Sequence, residues 1–220
     1  MYALLLLAHA LSGGLALAGA AGAIGSRLFG WAHRVHVVAG RLFTAGMLGV
    51  ALTGLGITAV NPNLFLLAIA VFLLYLTVMG WRYAKARQGL GSALDKVLAV
   101  VFVALFVAMV GYGAWHVSAG RGMGWVLVVF GGIGLLQSGG DLRGVFGTPV
   151  TGRLRIVAHL SRMLGGTIGV ITAFLLVQLQ SNSIVVWLGP TALLTPLIFY
   201  WSARIRGGWL PKRAPERIEV

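Results

Sequence analysis

Residues 95–117 read DKVLAVVFVALFVAMVGYGAWHV, and this stretch decides the fold. Between Lys96 and His116 no charged side chain occurs for nineteen positions, and no proline interrupts them. A helix of that length rises about 28 Å, enough to cross the ~30 Å hydrocarbon core of a bilayer. In lipid each backbone N–H and C=O must be paired within the segment, so an uncharged run of this kind reads as a membrane helix.

Working outward, the same pattern recurs on both sides. Seven spans are expected, at about 3–25, 35–60, 62–82, 95–117, 122–139, 155–180 and 183–203, with a basic tail at 204–220. Turn formers mark the short connections: Asn61-Pro62-Asn63, Gly120 to Gly122, and Ser181-Asn182-Ser183. Only 10% of the residues are charged and 59% are hydrophobic, too little polar surface to wrap a water-exposed globule. The expectation is an all-α bundle of seven transmembrane helices. Ala-x-Ala patterns occur near 18–23, but no basic segment precedes the first apolar run, which reads as a retained helix rather than a cleaved leader.

Charge placement sets the expected orientation. Of 17 Lys and Arg, only Arg121 falls on one side of a seven-span chain; the other sixteen load the opposite side. By the positive-inside rule the loaded side is cytoplasmic, which places the N-terminus outside a cell (inner) membrane and the C-terminus within. The net charge of +13 is then a topology and headgroup signal rather than a nucleic-acid footprint. The expected partners are the lipid bilayer and other membrane subunits.

Ionisable residues within membrane spans are costly, which makes each a functional candidate. His36 heads a stripe of small residues, Gly40 and Thr44, at helical spacing. His159 heads another, with Arg162, Gly166, Gly169 and Ala173. Both histidines fall near the loaded side at similar depth. Two neutral imidazoles on different helices suit the axial positions of haem b; the alternative is an interhelical hydrogen-bonding role in packing. His9 and His116 lie towards the opposite side, but at depths that fit a second pair poorly. Arg41, about 140° around the helix from His36, is expected to turn to the headgroups. Asp141 is expected in a loop from about Gly140 to Leu154, paired with Arg143, Arg153 or Arg162, with a proton-relay carboxylate as the alternative.

Several classes are excluded. Without cysteine there is no disulfide, thiolate metal site or cysteine nucleophile. Retinal needs a buried lysine for its Schiff base, and Lys85, Lys96 and Lys212 all fall outside the apolar runs. No Ser-His-Asp, HExxH or phosphate-loop pattern occurs.

A weak internal repeat is also visible. Spans 2 and 6 both open with a histidine after a basic loop, and spans 3 and 7 end alike (Trp81-Arg82-Tyr83-Ala84-Lys85 against Trp201-Ser202-Ala203-Arg204). This suggests a 3+1+3 arrangement of parallel repeats, as known among transporters.

The chain resembles a family of small prokaryotic membrane proteins described as a domain of unknown function. The resemblance covers most of the chain. It is carried by His9-x3-Gly13 and by His36-x3-Gly40-Arg41-x-Phe43 with Met47. Gly80-Trp81-Arg82, Gly140-Asp141-Leu142-Arg143, His159-x2-Arg162-Met163 and Pro190-Thr191 add to it. It implies a multi-pass protein and draws attention to His9, His36, Arg41, His159 and Arg162, without implying a reaction. Three readings of function remain: a haem- or quinone-binding membrane protein, with His36, His159, Gly40, Arg162 and His9 as site residues; an accessory or assembly subunit of a larger membrane complex; and a small-molecule transporter.

Overall fold

A computed structural model describes residues 2–122, 124–180 and 183–207. It contains seven helices: α1 (Tyr2–Leu28), α2 (His33–Val60), α3 (Leu64–Lys85), α4 (Ala93–Ser118), α5 (Gly124–Phe146), α6 (Gly152–Leu179) and α7 (Ile184–Arg206). Among the described residues there is no strand. Helices α1 to α6 are long and apolar enough to cross a membrane. α7 spans 23 residues with Pro190 and Pro196 inside it, a composition membrane helices tolerate. Of the expected basic tail, Arg204 and Arg206 belong to the last turn of α7; residues 208–220, like Ser181 and Asn182, lie outside the described residues.

Local chemistry explains the helix starts on the polar sides. The Asn63 side chain accepts from the Leu66 amide at 3.1 Å, capping α3. Ser92 and Asp95 form a reciprocal capping box at the start of α4, satisfying amides that the first turn cannot pair. Asp95 also holds Arg82 of α3 at 2.6 Å, which ties the end of α3 to the start of α4.

The helices meet along seams of small residues. In lipid no hydrophobic effect draws two helices together, so close backbone approach and van der Waals contact must do so. α1 lies on α2 in this way. A Cβ added at Gly46 would stand 2.5 Å from the Ala16 nitrogen and 2.7 Å from the Ser12 oxygen. α4 and α5 make a second such seam, where a Cβ at Gly113 would stand 2.9 Å from the Gly124 carbonyl and the Val128 nitrogen. Gly46→Leu is therefore expected to destabilise the protein by about 1–3 kcal/mol, since backbone cannot yield as a flexible side chain does. Gly14→Leu, where an added Cβ meets nothing within 4 Å, should leave the thermal midpoint in detergent unchanged. Equal midpoints for the two variants would show that the seam does not hold α1 to α2.

α1 packs on α2, α2 on α3, α3 on α6, and α6 on α1. These four helices close a ring in which α2 and α6 stand across a diagonal. The α4–α5 hairpin docks on the outside of this ring through α3, and α7 docks through α6. The packing order of the last three helices departs from the expected repeat: α1 packs tightly on α2, whereas α5 packs chiefly on α4 rather than on α6. The reason is the Gly113–Gly124 seam, which commits α5 to its hairpin partner. A transporter reading built on trio-against-trio symmetry loses its support.

Candidate functional site

The histidines singled out in the sequence belong to the diagonal helices of the ring. Phe43 and Met47, both buried on α2, reach across to α6. A Cβ at Gly166 would stand 3.4 Å from Phe43 Cζ and 3.5 Å from Met47 Cε. His36 lies seven residues before Phe43, and His159 lies seven residues before Gly166. Both α2 and α6 start at the cationic end and run in the same direction. Each histidine is thus two turns, about 10 Å, nearer that end than the Phe43–Gly166 contact. The expectation of equal depth follows from this shared register.

Each imidazole is held by a backbone carbonyl of another helix. His36 Nδ1 lies 3.1 Å from the Ala23 oxygen on α1, with Ser26 Oγ at 3.3 Å. His159 Nδ1 lies 2.9 Å from the Gly80 oxygen on α3. A carbonyl only accepts, so Nδ1 carries the proton in both rings and Nε2 is left as the basic nitrogen. His33, one turn before His36, stacks on it with centroids 6.3 Å apart. Gly40, one turn deeper than His36, has nothing within 4 Å of where a Cβ would sit.

Arg162 and Asp141 form a second constellation, deeper than the histidines and on the α3 side of the ring. Asp141 is 1% exposed, Arg162 6%, Tyr75 0% and Tyr83 2%. The Arg162 guanidinium donates to Asp141 Oδ1 at 2.5 Å. Tyr83 donates to the same oxygen at 2.7 Å and Tyr75 to Oδ2 at 2.6 Å. Arg162 also donates to the Ala158 carbonyl at 3.0 Å and lies over the Tyr83 ring at 4.8 Å. One carboxylate with two tyrosine hydroxyls and one guanidinium is a neutral unit, the form in which charge can be tolerated in a dry interior. Tyr75 is set by edge-on contacts with Phe102 and Phe106 of α4, both with centroids at 5.1 Å. The network therefore joins α3, α5 and α6, although α5 packs chiefly on α4 and α3.

Asp141 corrects the expected boundary of the fifth span. It lies within α5, which continues to Phe146, and not in a loop. Gly139 and Gly140 suggest a break, but a membrane helix keeps its intrahelical bonds through glycine because no water replaces them. The expected pairing with Arg162 is present; Arg143 and Arg153 make no ion pair among the described residues.

The remaining candidates lie elsewhere. His9 Nδ1 meets Thr53 Oγ1 at 2.9 Å in the α1–α2 seam, at the opposite end from His36. His116 is buried on α4 beside α5, its ring edge-on to Tyr112 at 4.6 Å. These two occupy different seams and form no second pair. Arg41 is exposed and turned away from the ring, as its angular offset from His36 requires. Among the described residues no group of three or more His, Asp or Glu could hold a bare metal ion. Tyr75, Tyr83 and His33 are the site residues that sequence reasoning missed. A single buried carboxylate facing one arginine requires further donors, and a search of apolar spans for hydroxyls could have found the two tyrosines.

Comparison with protein-family models, with curated proteins and with solved structures returned no match. The helices themselves define the class: a multi-pass helical membrane protein.

Proposed function

We propose that this protein binds haem b within the membrane, between His36 and His159 at the cationic end of the α1–α2–α3–α6 ring. One observation carries the reading. Parallel, diagonally opposed helices each present one histidine at the same level, with Nδ1 committed to a backbone carbonyl and Nε2 left basic. A backbone bond of this kind fixes the tautomer and orientation of an imidazole for metal ligation. When bound, haem would supply one-electron chemistry. The chain's own residues hold the two imidazoles in place and leave room beside Gly40. A quinone suits the two imidazoles less well than a metal does, because its carbonyl oxygens need donors and both Nε2 atoms are acceptors.

The test is a visible spectrum of the purified protein, taken as isolated and after addition of ferric haem in detergent. A Soret band of a six-coordinate, low-spin species is expected. Protein that remains colourless and leaves the haem spectrum unshifted would refute the reading.

The orientation belongs to the same proposal, with the N-terminus outside and the cationic end cytoplasmic. A reporter fused after Val220 should read cytoplasmic, and one inserted at Pro62 external. A cytoplasmic reading at Pro62 would reverse the assignment.

A further inference from the structure

We propose that the occupant of the His36–His159 site is anionic and that Arg155 receives one of its carboxylates. The inference rests on the haem reading and names the feature of the ligand that this chain recognises.

Arg155 precedes His159 by one turn of α6 and faces the same ring. Its Nη1 donates to the Tyr83 and Ala84 carbonyls at the end of α3, the latter at 3.0 Å. Those bonds fix the guanidinium. They leave Nε buried without an acceptor. Arg162, one turn beyond His159, is anchored in the same way and also has a buried Nε without an acceptor. Buried N–H groups are nearly always paired, so an orphan on a charged group calls for an explanation.

Among the described residues no carboxylate is free to accept from it. The acidic residues among those described are Asp95 and Asp141. Asp95 is held by Arg82 and Ser92, and Asp141 by Arg162 and two tyrosines. Arg27 lies in the last turn of α1, four residues beyond Ala23, whose carbonyl holds His36. A fixed arginine with a spare donor and a further arginine at the end of α1 therefore make one cationic mouth beside the two neutral histidines. Ring-substituent carboxylates at the cationic end would give the Arg155 Nε–H a charged acceptor, and charge-assisted hydrogen bonds of this type are the strong ones. Arg162 lies deeper and is not needed for that contact.

The experiment compares ferric protoporphyrin IX with its dimethyl ester, which has the same iron and ring but capped carboxylates. Each is titrated into the wild-type protein in detergent and followed by the Soret band. The free acid is expected to bind about tenfold more tightly or better. In Arg155→Met, which keeps the apolar stem, the preference should collapse towards unity with the ester affinity little changed. Circular dichroism confirms that this variant is folded, and the wild-type arm stands without it. Equal wild-type affinity for acid and ester would overturn this inference and leave the haem reading intact. A preference that survives unchanged in Arg155→Met would overturn the assignment to Arg155. No Soret shift with either ligand would overturn both readings.

Discussion

Asp141→Asn is expected to destabilise the bundle by about 3–5 kcal/mol, the range for breaking one side of a buried ion pair. The amide keeps the shape of the carboxylate but removes its charge, so the buried Arg162 guanidinium is left uncompensated. The amide nitrogen also presents donors where Tyr75, Tyr83 and Arg162 already donate. Arg162→Met should be comparably costly for the opposite reason: Asp141 keeps two tyrosine donors but loses its counter-ion. The paired change Asp141→Leu with Arg162→Met removes both charges together and should cost less than the sum of the singles, because apolar replacement of a whole buried pair is often near neutral. Thermal midpoints in detergent for the wild type, Asp141→Leu, Arg162→Met and the paired variant give the coupling. Additive losses of under about 1 kcal/mol would show that the pair does not hold α5 to the ring. Tyr75→Phe and Tyr83→Phe should each lose roughly 1.5–3 kcal/mol, as expected for a hydrogen bond to a charged group.

His36→Ala and His159→Ala are expected each to abolish the six-coordinate haem spectrum while leaving the protein folded. Each substitution removes one hydrogen bond to a backbone carbonyl, worth about 0.5–1.5 kcal/mol, a small effect on the bundle. Loss of an axial ligand is a change of coordination state and should be complete. This contrast separates the two roles that the sequence leaves open for the histidines. If they serve packing alone, the variants should lose stability and no absorption should depend on them. If they serve as ligands, the spectrum should change far more than the stability. His9→Ala is the control: it breaks the contact with Thr53 at the far end of the α1–α2 seam and should leave the spectrum unaltered. Loss of the band in His9→Ala but not in His36→Ala would move the site to the other side of the membrane.

The two constellations differ in how far they could be read from the chain. His36 and His159 stood out because histidine is scarce in apolar runs, and their equal depth follows from counting residues from the same end of parallel spans. Asp141 stood out as one of four acidic residues, and its pairing with Arg162 was among the expected options. Its position within α5 was not, since Gly139-Gly140 resembles a turn when the medium around it is ignored. The tyrosines could not be assigned. Tyr75 and Tyr83 look like any aromatic residues of an apolar span until α5 brings a carboxylate against α3.

Taken alone, the sequence determined the class of this protein, the number of helices among the described residues and the end at which its cations gather. Those properties depend on the transfer of whole segments from water to lipid, a sum over twenty or so residues that no single contact can reverse. Tertiary structure alone decided which helices are neighbours. That choice turns on single glycines: Gly46 admits α1 to α2, and Gly113 with Gly124 binds α5 to α4, so that α5 is not free to repeat the role of α1. The diagonal placement of α2 and α6, the junction of Asp141 with two tyrosines, and the unpaired Nε of Arg155 all follow from that packing. In a bilayer every face of a helix is apolar, so hydropathy cannot indicate which face meets which. Only the fit of backbone against backbone does.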